Sequence, residues 1–217
     1  TEMFRGVIAR SGLNPSDFEL IGKKYILLIK AGESNTERLG AYLHENNVVL
    51  VNGTAVRFYL DKWGLPHEEF FALFVLYATL HELGHSVSKT IAFDPQISPS
   101  GDVEVVKFFT GIARHNNPDT RYQGLNEAII DSLAERFTLE YCKNSMSFSE
   151  KKAKILFDKM EINQDLYSLN KVILDSVVGI IARTESFSKE MVLNSFIRAS
   201  MEGTGIDDPE IRKGFLQ

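Results

Sequence analysis

Apolar positions change their period along this chain. In the first sixty residues they come in short runs separated by turn residues. Residues 18–21 and 25–29 flank Gly22-Lys23-Lys24, which predicts strand, turn and strand. Residues 39–44 and 48–51 flank Glu45-Asn46-Asn47, a second hairpin signal, closed by Asn52-Gly53. Before them, residues 2–10 predict a short helix ended by Gly12, and Asn14-Pro15-Ser16-Asp17 predicts a turn.

From Trp63 onward the period is mostly helical. Trp63-Gly64-Leu65-Pro66 opens a helix whose first turn carries Glu68 and Glu69, acids that complement its dipole. Phe70, Phe71, Leu73, Phe74, Val75, Leu76, Tyr77 and Leu80 make it apolar nearly all round, as expected of an element buried on several sides. It is predicted to end near Thr90. Residues 91–123 read as a long connection with Pro99, Gly101 and Pro118, and an apolar run at 103–112 that fits a strand or a short helix. Connections of this length are often functional, for example a cleft wall or lid. The spacing of Ile130, Leu133, Phe137 and Tyr141 predicts a helix from Asn126 to about Lys143 with those four as its core face. The remainder predicts two or three more helices, with residues 149–159, 166–184 and 189–201 as candidates, two opened by serine caps and the last closed by Gly203. Leu166, Leu169, Val172, Ile173, Leu174, Val177, Val178 and Ile181 are expected in the core. Strands first and helices afterwards argue an α+β class.

A chain of 217 residues can bury one full core, or a core with a helical appendage. With 44% hydrophobic and 24% charged residues it reads as an ordinary globular protein. The net charge of −5 and the lack of a long basic run argue against nucleic acid as partner. Cys142 is the only cysteine, expected as a small buried apolar residue, so no internal disulfide forms. That, with no signal peptide at the start, fits a cytoplasmic setting, although the first residue is Thr1 and a segment before it could have been trimmed. The apolar stretch at 70–80 is too short to span a bilayer.

The composition takes on meaning at His81-Glu82-Leu83-Gly84-His85. Four residues are just over one helical turn, so His81 and His85 point from one face and can hold one Zn²⁺, with Glu82 beside them as a base. Random placement of five His and eighteen Glu gives this pattern in roughly one chain in a hundred of this length. Two imidazoles and a carboxylate in an apolar helix are also costly without partners. A catalytic zinc site takes three protein ligands and leaves a position for water. Glu127 is the expected third ligand, and Gly84 would let its helix come close. Asp131, one turn after Glu127, could accept a hydrogen bond from a ligand histidine and raise its basicity. His67 stands too far along the helix to share the ion and is expected on the surface. Arg114 and His115 are expected as exposed loop residues.

His81-Glu82-Leu83-Gly84-His85 together with Asn126-Glu127-Ala128-Ile129-Ile130-Asp131 resembles the gluzincin metallopeptidases, the thermolysin-like branch of the zincins. The resemblance covers about residues 38–142. It implies zinc on His81, His85 and Glu127, Glu82 as general base, and Asp131 behind His81. It implies a zincin-like fold, with a small N-terminal sheet followed by the active-site helix, the glutamate helix and C-terminal helices. Residues 1–145 would then form the catalytic domain and 146–217 a helical subdomain packed on it. Gly40-Ala41-Tyr42 and residues 48–51 look like the edge strand on which such enzymes lay an extended peptide or protein substrate. The implied chemistry is metal-assisted hydrolysis, in which zinc activates water and polarises the scissile carbonyl while Glu82 carries the proton to the leaving amine. The chain departs from the best-known members in its longer insert between the two motifs and in having no histidine after His115. Tyr122, Tyr141, Tyr167, Arg183 and His115 stand as alternative donors to the oxyanion. The resulting expectation is a zinc metalloendopeptidase. The alternative is a zincin-like binding or regulatory domain with little turnover, and an intact Glu82 favours the enzyme.

Overall fold

The computed structural model describes residues 25–29, 38–43, 48–88, 90–97, 99–100, 103–116, 119–163 and 168–203. The helix expected at 2–10, the strand at 18–21, the turn at 45–47, Leu166, Tyr167 and residues 204–217 lie outside them. The described residues form a mixed α+β structure, mostly helical, with a small three-stranded sheet, a second sheet of four strands and six helices.

The first sheet comprises β1 (Tyr25–Ile29), β2 (Gly40–Leu43) and β3 (Val48–Asn52). Its order is β1-β3-β2. β1 pairs parallel with β3, and β2 pairs antiparallel with it, Gly40 opposite Val51. Among the described residues β2 is therefore an edge strand, whereas residues 48–51, also expected at the edge, belong to the central strand β3.

Asn52-Gly53 ends β3, as its turn residues predict. It opens a helix, α1 (Gly53–Trp63). The Asn52 side chain accepts hydrogen bonds from the backbone N–H of Thr54 (3.1 Å) and Ala55 (3.2 Å), satisfying donors that a helix start leaves open. Ala55, Val56, Tyr59, Leu60 and Trp63 are buried at helical spacing. Gly64 ends the helix with φ 66°, a left-handed conformation that glycine adopts without steric cost.

α2 (His67–Val87) carries the histidine motif. It packs against β2 and β3. Its 21 residues make it, by length and composition, long and apolar enough to cross a membrane, longer than the apolar stretch alone suggests. Most of that stretch is buried inside this protein, as in the core helix of a globular domain. A row of rings runs from α1 along α2. Tyr59 and Trp63 stand 5.3 Å apart, Trp63 and Phe74 5.3 Å, and Phe74 and Tyr77 6.0 Å. His67, at the start of α2, is half-buried and lies 2.9 Å from Asp61 of α1.

The segment read as a long connection folds into a sheet of its own. β4 (Thr90–Ile97), β5 (Val103–Thr110), β6 (Ala113–Asn116) and β7 (Asp119–Arg121) pair antiparallel in chain order. Pro95 sits in β4 opposite Val105. Among the described residues β4 is an edge strand, where a residue without an N–H is tolerated. Arg114 and His115 are strand residues of β6 rather than loop residues.

α3 (Gln123–Asn144) follows, then α4 (Glu150–Ile162), α5 (Ser168–Thr184) and α6 (Lys189–Glu202). Ile130, Leu133 and Phe137 of α3 are buried, but Tyr141 is exposed. Leu174, Val178 and Ile181 of α5 are buried, whereas Leu169, Val172 and Ile173 are exposed. Helical spacing marks an apolar stripe, and the packing covers only part of it. Cys142 is buried, and burial with nearby Glu150 pushes its thiol above the usual value.

The described residues fall into two compact units that do not follow chain order. One draws on residues 25–87 and 131–168, the other on 88–130 and 169–203. The division crosses α3 after its second turn, while the helix itself runs on unbroken.

Candidate metal centre

Helical geometry places Tyr77, His81 and His85 on one stripe of α2, each a turn after the last. The imidazoles of His81 and His85 stand 4.9 Å apart between ring centres, at 70° to each other. Their Nε2 atoms face each other at 3.1 Å. Two nitrogens each about 2.0–2.1 Å from one tetrahedral zinc lie roughly 3.3 Å apart, so this pair is within biting distance of one ion.

Glu127 comes from the second turn of α3. His81, His85 and Glu127 each offer a ligand atom, and these atoms all lie within 4.8 Å of one another. They form a cluster that could hold a metal ion. The donor set of two imidazoles and one carboxylate, with no fourth side chain in the group among the described residues, is the type that leaves a coordination position open.

The start of α3 is firmly tied. Asn126, beside Glu127, is buried, and its Oδ1 accepts from the backbone N–H of Ile112 (3.2 Å) and from Ser200 Oγ (3.3 Å). Ser200 Oγ also lies 3.4 Å from Ser88 Oγ. Ile112 follows Gly111, whose φ of 58° makes the tight turn between β5 and β6. A side chain at 111 would collide with Asn126. Tyr122, just before α3, adopts φ 61°, rare for a bulky residue, where the chain swings from β7 into the helix. Asn126 is expected as the opening residue of its helix and of the motif that carries Glu127; its ties to Ile112 and Ser200 are what the sequence does not show.

Asp131 lies one turn after Glu127 on α3 and is 1% exposed. Its Oδ1 is 3.6 Å from His81 Nδ1, an ion-pair distance longer than a formed hydrogen bond. Tyr77, on α2, donates its hydroxyl proton to the same Oδ1. Stepping back one turn in α3, from Asp131 to Glu127, moves forward one turn in α2, from the pair Tyr77 and His81 to the pair His81 and His85.

Glu82 is 6% exposed and lies beneath β2. A Cβ on Gly40 would stand 2.8 Å from its Oε1 and 2.9 Å from its Cγ. The Glu82 side chain thus lies directly against the edge-strand backbone. Gly84 is buried.

Among the residues expected as alternative oxyanion donors, Tyr122, Tyr141 and Arg183 are exposed. His115 belongs to β6.

No protein family, curated protein or solved structure compared with this chain matches it.

Proposed function

We propose that this protein is a zinc-dependent metallopeptidase of the thermolysin-like gluzincin type, hydrolysing peptide bonds with Glu82 as general base. The observation that carries the reading is the convergence of His81, His85 and Glu127 within 4.8 Å, with a buried carboxylate, Glu82, next to the first histidine. Mixed nitrogen and oxygen donors and three protein ligands favour a catalytic zinc over a structural one.

When bound, zinc supplies Lewis acidity, which makes water nucleophilic near neutral pH and polarises a carbonyl. Glu82 takes the proton of the attacking water and passes it to the leaving amine. Its burial keeps the carboxylate out of bulk water, and β2 fixes where it lies. Asp131 orients His81 through Nδ1, leaving Nε2 for the ion. The backbone of β2, at the edge of its sheet, offers N–H and C=O groups that an extended peptide can pair with. That favours a peptide or protein substrate.

The test is turnover of a mixed peptide library by the purified protein, with and without a chelator, alongside elemental analysis. Cleavage that stops on chelation and returns with zinc supports the proposal. Stoichiometric zinc without any cleavage would instead make this a binding or regulatory domain. Protein that retains no metal and cuts nothing would end the metal reading.

A further inference from the structure

The ring of Tyr77 packs against Phe74 at 6.0 Å and Phe157 at 5.6 Å. Its hydroxyl leaves this apolar setting to donate to Asp131 Oδ1, the oxygen that faces His81 Nδ1 at 3.6 Å. One carboxylate oxygen therefore meets two groups from successive turns of α2. Tyr77 and Asp131 are each 1% exposed, and His81 is 4% exposed. A carboxylate this deep requires donors, and the phenol is one. The carboxylate torsion of aspartate is broad, with no sharp well to hold one oxygen toward a chosen neighbour. A fixed donor supplies what the torsion lacks.

We propose that Tyr77 is a positioning residue of the metal centre, its hydroxyl holding the Asp131 carboxylate in the orientation from which Asp131 steadies His81. The inference rests on His81 being a metal ligand. Tyr77 acts on the ion through two intermediaries, Asp131 and then His81. Its place on α2 suits this task, because one helix then carries both the ligand and the residue that sets the ligand's support.

Tyr77→Phe removes the hydroxyl and keeps the ring contacts with Phe74 and Phe157. The experiment measures zinc affinity by competition with a chromophoric chelator, for wild type, Tyr77→Phe, Asp131→Ala and the double variant. Tyr77→Phe should weaken zinc binding about 10-fold, the lower end of losses seen when a ligand's hydrogen-bond partner is removed. In the Asp131→Ala background the same change should have almost no effect, because the path runs through Asp131. Equal losses in both backgrounds would reduce Tyr77 to a packing residue and overturn the proposal, as would unchanged affinity in the single variant. Wild-type protein that binds no zinc at all would instead overturn the metal reading beneath it. A second measurement needs no variant. The Tyr77 hydroxyl proton, buried and donated to a carboxylate, should give a slowly exchanging NMR signal that shifts when zinc is added. A signal indifferent to zinc would also overturn the proposal.

Discussion

Gly40 and Glu82 compete for one space. The position that a Cβ on Gly40 would occupy lies 2.8 Å from Glu82 Oε1 and 2.7 Å from the Leu50 carbonyl oxygen. Real Cβ atoms do not sit that close to either, so the glycine lets the carboxylate rest against the strand. The relationship joins the edge of a sheet to the residue proposed as base.

Gly40→Ala should therefore move Glu82, shift β2 against β3, or both. Displacing a catalytic group by about 1 Å can cost on the order of 100-fold in rate. We expect a loss of that order in kcat against a peptide substrate, with zinc content unchanged, since His81, His85 and Glu127 are not the groups displaced. Steady-state kinetics beside elemental analysis measures both. Wild-type kcat in this variant would mean that Glu82 does not need its place under β2.

Glu82→Gln keeps the size of the side chain and removes its basicity. Zinc content and thermal stability should stay near wild type, while hydrolysis falls by about 100-fold or more, the scale of general acid–base catalysis. Full activity in Glu82→Gln would dismiss Glu82 as the base.

Glu127→Ala takes away the only carboxylate in the cluster of three. Zinc affinity should fall by more than the roughly 10–100-fold typical of losing a ligand's supporting partner. Chelator competition reads the change, and a metal stoichiometry that survives dialysis unaltered would remove Glu127 from the ligand set.

Asn52 serves three partners at the joint between β3 and α1. It accepts from Thr54 and Ala55, and its amide donates to the Arg38 carbonyl at 3.1 Å. Asn52→Ala should destabilise the protein by about 1–2 kcal/mol, the upper half of the range for a lost helix cap. Urea denaturation followed by circular dichroism measures it. A loss below about 0.5 kcal/mol would show that backbone contacts alone hold this joint.

Two features of the candidate centre were legible in the sequence because they are local. The helical repeat puts His81 and His85 on one face whatever surrounds them, and the same repeat brings Glu127 and Asp131 into line one turn apart. The ends of α6 were equally local. Ser188 accepts from the Met191 backbone N–H at 3.1 Å, and Gly203 closes the helix with φ 69°. Each such signal depends on hydrogen bonds that reach three or four residues.

Other features depended on partners far away in the chain. Asn52-Gly53 marked the end of a strand, but the same letters do not say that a helix follows, and the burial of Tyr59, Leu60 and Trp63 decided that. The strands β4 to β7 emerged from a stretch punctuated like a loop, because pairing between strands satisfied a backbone that local pattern left unassigned. Tyr141 and Leu169 share an apolar spacing with buried neighbours yet lie exposed, since spacing names a stripe and not what covers it.

The chain alone, then, determined which residues share a helical face, because a turn of helix is closed by neighbours only a few residues away. The fold alone decided that Glu127 meets His81 and His85, that Tyr77 reaches Asp131, and that Glu82 rests on Gly40. Those meetings bring together groups up to 54 residues apart, as for Tyr77 and Asp131, and only the packing of whole elements holds them there.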